Sequence, residues 1–186
     1  MIAGAAGGLA LVAPKGGAAR PTTDRVKESL FGALGPDPLV DACVLDLYAG
    51  SGALAIEALS RGADRAVLVD RDRSAVTAIR RNLATTHLRD RARVQGSTVA
   101  AFLDGKPPAE RAFDLVFLDP PYAATSAELG RVLSGLDRSG WLAEGATVVV
   151  ERPSGAGPAP APEAWKATWE RAYGDTLVTV LTTSMG

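Results

Sequence analysis

Residues 43–52 read CVLDLYAGSG. Cys43 to Leu47 is a short apolar run holding one acid, Asp46, and Tyr48 to Gly52 then supplies two glycines. Leu54, Ala58 and Leu59 follow at helical spacing, and Gly62 closes that helix. Gly50 and Gly52 remove side chains where the chain must bend sharply and let a ligand lie against the backbone. A buried strand, a glycine turn and a helix make the opening unit of an open α/β sheet, where ligands bind outside the carboxyl ends of the strands. Asp46 falls at such an end, placed to accept hydrogen bonds near the amino-acid end of a cofactor.

The same alternation continues downstream. Ala66 to Asp70 reads as a second buried strand, and Val76, Ile79 and Leu83 mark the next helix. Further strands are expected at 92–95, 113–118 and 146–151, with helices at about 97–103 and 125–136. Trp169 to Thr182 reads as two strands joined at Tyr173-Gly174-Asp175. Continuous apolar strands between helices indicate a doubly wound, mainly parallel sheet covered on both faces. Asp70 ends the second strand eighteen positions beyond Gly52, which suits a carboxylate bonding two ribose hydroxyls. Gly50-x-Gly52-x-x-Ala55 also satisfies a relaxed dinucleotide fingerprint, so the glycines alone leave NAD binding open.

Residues 113–122, FDLVFLDPPY, carry the other half of the chemistry. A buried strand delivers Asp119 to the same sheet edge, and Pro120 and Pro121 fix the backbone after it. Two prolines offer carbonyl acceptors without nearby amide donors, which fits recognition of an amino group. A nucleobase amino nitrogen delocalises its lone pair into the ring and is a poor nucleophile. Hydrogen bonds to Asp119 and the Pro120 carbonyl favour a pyramidal nitrogen and stabilise the positive charge that develops on it. Tyr122 offers a flat face for an unstacked base. Asp119 as a helix cap and Tyr122 as core are the plain alternatives, and agreement with the glycine turn and Asp70 argues against both.

Composition bounds the partners. The chain has 186 residues, 47% of them apolar, and a formal net charge of −1, so nucleic-acid contact requires a local basic patch. Cys43 is the only cysteine and His87 the only histidine, which excludes an intrachain disulfide and argues against a His- or Cys-rich metal site. A reducing, cytoplasmic setting is expected. MIAGAAGGLALVAP at the start has a leader-like look. It lacks a basic n-region, is interrupted by glycines, and falls short of the roughly 20 apolar residues of a membrane span. A short strand or hairpin is expected there. A helix should begin near Thr22 or Thr23 and carry Val26, Leu30 and Leu34 on one stripe. The expected division is an N-terminal arm and helix at 1–40 and the sheet domain at 41–186.

RPTTDRVKESLF (20–31), DLYAGSGALAIEALSRGA (46–63) and FLDPPY (117–122) together resemble the bacterial 16S rRNA (guanine(966)-N2)-methyltransferase family. These are class I S-adenosylmethionine-dependent methyltransferases with an Asp-Pro-Pro-Tyr motif. The resemblance implies a seven-stranded Rossmann-like sheet with an antiparallel C-terminal strand and a short N-terminal extension. It implies methylation of guanine N2 in 16S rRNA of a small ribosomal subunit or its assembly intermediate, with S-adenosylhomocysteine as product. Asp119, Pro120, Pro121 and Tyr122 take the catalytic role by this likeness. Asp46, Tyr48, Ala49, Gly50, Gly52, Asp70, Arg71 and Ser97 take the cofactor role, with Thr22 and Thr23 at the entrance. Ser97 stands where many amino methyltransferases have an acid facing adenine. Lys15, Arg20, Arg25 and Lys27 are the expected RNA contacts. Gly7-Gly8-Leu9 stands where the family usually has an arginine-rich strand. A monomer that uses neither metal nor membrane is expected, no coiled-coil seam arguing otherwise.

Segment 61–93 holds nine arginines against four acids. They are candidates for an RNA-facing surface, although a solvated helix exterior is the preferred reading of Arg80 and Arg81. Three rival functions stand beside the main one. They are an amino methyltransferase for adenine N6, cytosine N4 or a protein amide, an NAD-dependent oxidoreductase, and a catalytically inactive RNA-binding assembly factor.

Overall fold

The computed structural model describes residues 1, 3–15, 24–138 and 140–184. The strands are β1 (Cys43–Leu47), β2 (Arg65–Asp70), β3 (Ala92–Gly96), β4 (Phe113–Leu118), β5 (Leu142–Pro153), β6 (Lys166–Tyr173) and β7 (Thr176–Thr182). They form one seven-stranded sheet in the order β3-β2-β1-β4-β5-β7-β6. β1 to β5 pair in parallel, and β7 alone runs against its neighbours. The expected doubly wound sheet is present, with β5 longer than the 146–151 read from the sequence.

Five helices cover the sheet: α1 (Asp24–Leu34), α2 (Ala53–Ser60), α3 (Arg73–Thr85), α4 (Val99–Leu103) and α5 (Ser126–Leu136). The first three pack with Val44, Leu68, Leu115 and Phe117 on one face. α4 and α5 pack with Leu45, Val116 and Val148 on the other. All five positions of β1 are therefore buried, and the strand shows no polar alternation.

α2 is buried from Leu54 to Ser60 and must be covered on every side. Phe31 of α1 sits over the same region, its ring 5.9 Å from that of Phe117 and 4.8 Å beneath the Arg61 guanidinium. The N-terminal segment covers the rest. Glu57, with no exposed surface, accepts from the Ala3 amide at 3.0 Å and from Arg61 Nε at 2.7 Å. Ser60 Oγ accepts from the Ala6 amide at 2.8 Å.

The N-terminal segment is neither strand nor hairpin, contrary to expectation. It makes a single 3-10 turn at Gly4–Ala6 and then runs without a ladder partner. The reason lies in Asn82 of α3, whose side chain stands in for a neighbouring strand. Its Oδ1 accepts from the Val12 amide at 2.8 Å, and its Nδ2 donates to the Val12 carbonyl at 2.9 Å. The same Nδ2 donates to the Ser51 carbonyl at 2.8 Å, so one buried amide ties the arm to the glycine turn. Asn82→Ala should cost about 1–3 kcal/mol by stranding buried polar groups. Urea unfolding measures that loss, and limited proteolysis should cut the released segment before Lys15.

Candidate active site

Parallel pairing decides which residues meet. Leu47 lies beside Val69 on one side and Leu118 on the other, so the chain leaves β1, β2 and β4 at one edge. All three exits open onto one cleft of about 2400 Å³, whose wall includes Asp46, Gly50, Asp70, Ser97, Asp119 and Tyr122. Tyr48, Ala49, Arg71, Pro120 and Pro121 also line it.

The turn after β1 is wound tightly, with Tyr48, Gly50 and Gly52 at φ of 65°, 56° and 78°. The tip of β2 anchors it. The Ala49 amide donates to the Val69 carbonyl at 3.0 Å and the Gly50 amide to Asp70 Oδ2 at 2.9 Å. Asp70 Oδ1 accepts from the Asp72 amide at 2.9 Å, so this carboxylate organises backbone before it meets any ligand. The two glycines do different things. A Cβ at Gly50 would meet only the Tyr48 carbonyl, 4.0 Å away, and the position faces the cleft. A Cβ at Gly52 would lie 2.9 Å from Leu68 Cδ2 and 3.3 Å from Ile56 Cδ1. Gly52, expected to hold the cofactor, instead faces the core and lets α2 approach the sheet.

Asp46 is 2% exposed, and its Oδ2 accepts from the Ala55 amide at 3.2 Å. Burial pushes its carboxyl up to about 7; the Ala55 hydrogen bond opposes that rise and the nearby Asp70 charge adds to it. Ser97, beyond β3, has a buried Oγ with no hydrogen-bond partner. A buried hydroxyl left unsatisfied beside a cleft is available to a polar ligand.

Asp119 and Pro120 are half-buried where β4 enters the cleft. The Pro121 carbonyl accepts from the Ala124 amide at 2.8 Å, and Thr125 with Glu128 then forms a capping box that starts α5. Pro121, expected in the catalytic group, lines the cleft and through this bond also shapes the turn. Tyr122 is 56% exposed, and its hydroxyl meets Thr176 Oγ1 at 3.3 Å.

That contact brings in residues the sequence reading missed. Because β7 runs against β5, Thr176 lies beside Pro153, and the β6–β7 turn reaches the cleft edge. Arg171, Tyr173 and Thr176 join the wall there. The Tyr173 hydroxyl bonds Ser29 Oγ of α1, and the Arg171 guanidinium stands 5.5 Å from the Tyr173 ring. Tyr173-Gly174-Asp175 marked the turn in the sequence, but only strand order shows which edge it occupies.

The expected cations divide. Arg20, Thr22 and Thr23 lie outside the described residues. Arg25 and Arg71 are exposed on the cleft wall, and Lys15 is exposed where its carbonyl accepts from Ser74 Oγ at 3.1 Å. Lys27 departs from the expectation of an RNA contact. It lies on the cleft wall but is 6% exposed, and its Nζ lies 2.8 Å from Asp24 Oδ1, so it is largely buried and already paired. Arg61 is taken by Glu57 and Phe31, Arg65 by Glu110, and Arg91 by the Ala63 and Asp64 carbonyls. Arg65 and Arg91 sit where β2 and β3 begin, at the sheet edge opposite the cleft.

The profile of the family described as "Conserved hypothetical protein 95" matches residues 1–182. The chain is 39% identical over 174 residues to "Ribosomal RNA small subunit methyltransferase D" of Escherichia coli strain K12, covering 94% of this chain and 84% of that protein. It is 40% identical over 151 residues to "Putative rRNA methyltransferase YlbH" of Bacillus subtilis strain 168, covering 81% and 80%. Among solved structures, "Putative methyltransferase yhhF" from Escherichia coli superposes with a TM-score of 0.87 at 36% identity, covering 100% and 97% of the two chains.

Two outcomes follow from this geometry. Folding raises the Asp46 pKa from 3.8 to about 7, so the folded protein holds this proton more tightly than the unfolded chain. Its stabilising effect is full below about pH 4 and is lost as pH rises through about 7. Thermal unfolding of the ligand-free protein should show that decline, and Asp46→Asn should flatten it; an unaltered slope refutes the assignment. Gly52→Ala should destabilise by about 2–4 kcal/mol through steric conflict and a left-handed backbone, as urea titration will read.

Proposed function

The chain belongs to the family described as conserved hypothetical protein 95 and is similar along most of its length to the rRNA methyltransferases just compared, and on that premise we propose its reaction. It transfers a methyl group from S-adenosylmethionine to the exocyclic N2 of a guanine in small-subunit ribosomal RNA. It does so as a cytoplasmic monomer, on an assembling or finished subunit. Among the described residues, no helix is long and apolar enough to cross a membrane. The observation that carries this reading is the shared cleft onto which the Gly50 turn and Asp119 both open.

The residues present suit a sulfonium nucleoside. Gly50 leaves open space against its backbone, Asp70 offers a carboxylate at the β2 tip, and Ser97 holds an unpartnered hydroxyl. Asp70 would accept from the ribose hydroxyls, Ser97 would meet the polar edge of adenine, and Asp46 would lie toward the amino-acid end. S-adenosylmethionine supplies a methyl carbon made electrophilic by its sulfonium, and its remainder leaves as neutral S-adenosylhomocysteine.

The target side is the work of Asp119, Pro120 and Tyr122. The Asp119 carboxylate and the Pro120 carbonyl accept the two N–H groups of the amine and turn its lone pair out of the base plane. As nitrogen bonds to carbon its charge becomes positive, and the same fixed acceptors stabilise it. The surplus proton passes to Asp119 and from there to solvent. Tyr122, tethered through Thr176, presents its ring to the base.

The test uses small-subunit particles lacking the modification, labelled S-adenosylmethionine and mass analysis of the nucleosides. N2-methylguanine is expected. Label in N6-methyladenine alone would move the target to another amine, and no label in any RNA would overturn the reading. Asp119→Ala should lower kcat at least about 100-fold with little change in S-adenosylhomocysteine affinity. Gly50→Val should do the reverse, weakening that affinity at least about tenfold by calorimetry as its side chain enters the cleft and the left-handed turn is strained.

A further inference from the structure

The nine arginines of segment 61–93 are not one population. Arg61, Arg65 and Arg91 are held by the fold, and Arg71 lines the cleft. Five remain: Arg73, Arg80, Arg81, Arg89 and Arg93. Among the described residues, none of the five forms an ion pair.

Three of them converge. Arg80 of α3, Arg89 of the 3-10 turn Arg89–Arg91 and Arg93 of β3 surround a concavity of about 430 Å³, with Leu83, Ala92 and Val94 as its other lining. No acid lines it. Asp90 in the adjoining turn makes no ion pair among the described residues. Arg73 extends the group toward the active site. It sits seven positions before Arg80 on α3, which returns it to nearly the same side of the helix, about 10 Å nearer the cleft. Asp72, immediately before it, lines the cleft.

Three exposed arginines line one hollow without an acid among its lining, and an anion with several oxygens suits such a place. Guanidinium forks match phosphate oxygens in pairs. Charge on an edge strand also discourages sheet-to-sheet pairing, which accounts for Arg93 on β3 but not for Arg80 on a helix or Arg89 in a turn. We propose that Arg80, Arg89 and Arg93 form a phosphate-binding surface for the RNA backbone, set toward the end of the sheet away from the cleft and separate from the pocket of the target base, with Arg73 between the two. The proposal rests on RNA being the substrate. It explains how a chain of net charge −1 grips a polyanion: the positive charge is concentrated where no acid cancels it.

The test compares wild-type protein with the triple variant Arg80→Gln/Arg89→Gln/Arg93→Gln, both checked for equal thermal stability. Binding of a fluorescent 16S rRNA transcript is titrated across a salt series, and methyl transfer to undermethylated small-subunit particles is measured in parallel. The triple variant should bind at least about tenfold more weakly at low salt. Its slope of log affinity against log salt should be shallower by about 2–3, since each lost phosphate contact removes roughly 0.7–0.9. KM for particles should rise about tenfold, while kcat at saturation and S-adenosylhomocysteine affinity stay unchanged. The triple Arg→Lys variant should keep the wild-type salt slope. A Gln variant with the wild-type slope, or a Lys variant that loses it equally, would overturn the surface. If wild-type protein methylates no RNA, the methyltransferase reading falls, and the salt slope still decides the surface independently.

Discussion

The lateral pairing of β1 with β4 is the constraint on which the site depends. Two segments some seventy residues apart in sequence become neighbours, Asp46 opposite Phe117 and Leu47 opposite Leu118. Their exits, one into a glycine turn and one into Asp119-Pro120, then share a rim. Had β4 paired elsewhere in the sheet, each half would persist as a local motif facing nothing. The apolar faces secure this order, because every residue of β1 is buried and Leu115 to Leu118 are buried with it.

Around that rim the fold keeps polar groups under conditions they would not choose. Asp46 is walled off with its carboxylate accepting from the Ala55 amide, and the Ser97 hydroxyl is unmatched. Asp70 already holds two backbone amides, so the β2 tip is rigid before anything binds. Preorganised acceptors lose little by reorganisation when a ligand arrives.

Much of this could be read from the sequence, and the reasons differ by residue. Strand and helix order followed from apolar periodicity, and Asp46, Asp70 and Asp119 were found because each ends a strand-like run. Gly50 and Gly52 looked equivalent in sequence, since a motif does not say which glycine faces solvent and which faces Leu68. Lys27 looked like an open cation because its burial depends on how α1 lies against the sheet, although its pairing with Asp24 three residues earlier is local to the helix. The N-terminal segment looked like a strand because local pattern cannot reveal that Asn82, seventy residues on, takes the place of a partner strand. Arg171, Tyr173 and Thr176 carried a turn signal only; their place on the rim comes from β7 reversing against β5.

That reversal has a consequence for the life of the molecule. β7 lies inside the sheet, between β5 and β6, and its first residue touches Tyr122 at the mouth. Synthesis proceeds from the amino end, so the acceptor side of the cleft lacks its far wall until residues through Thr182 have left the exit tunnel. A nascent chain still threaded through a ribosome therefore has an unfinished rim. The cofactor side of the cleft is thus laid down before the acceptor side, and the order of synthesis sets the order in which its two walls form.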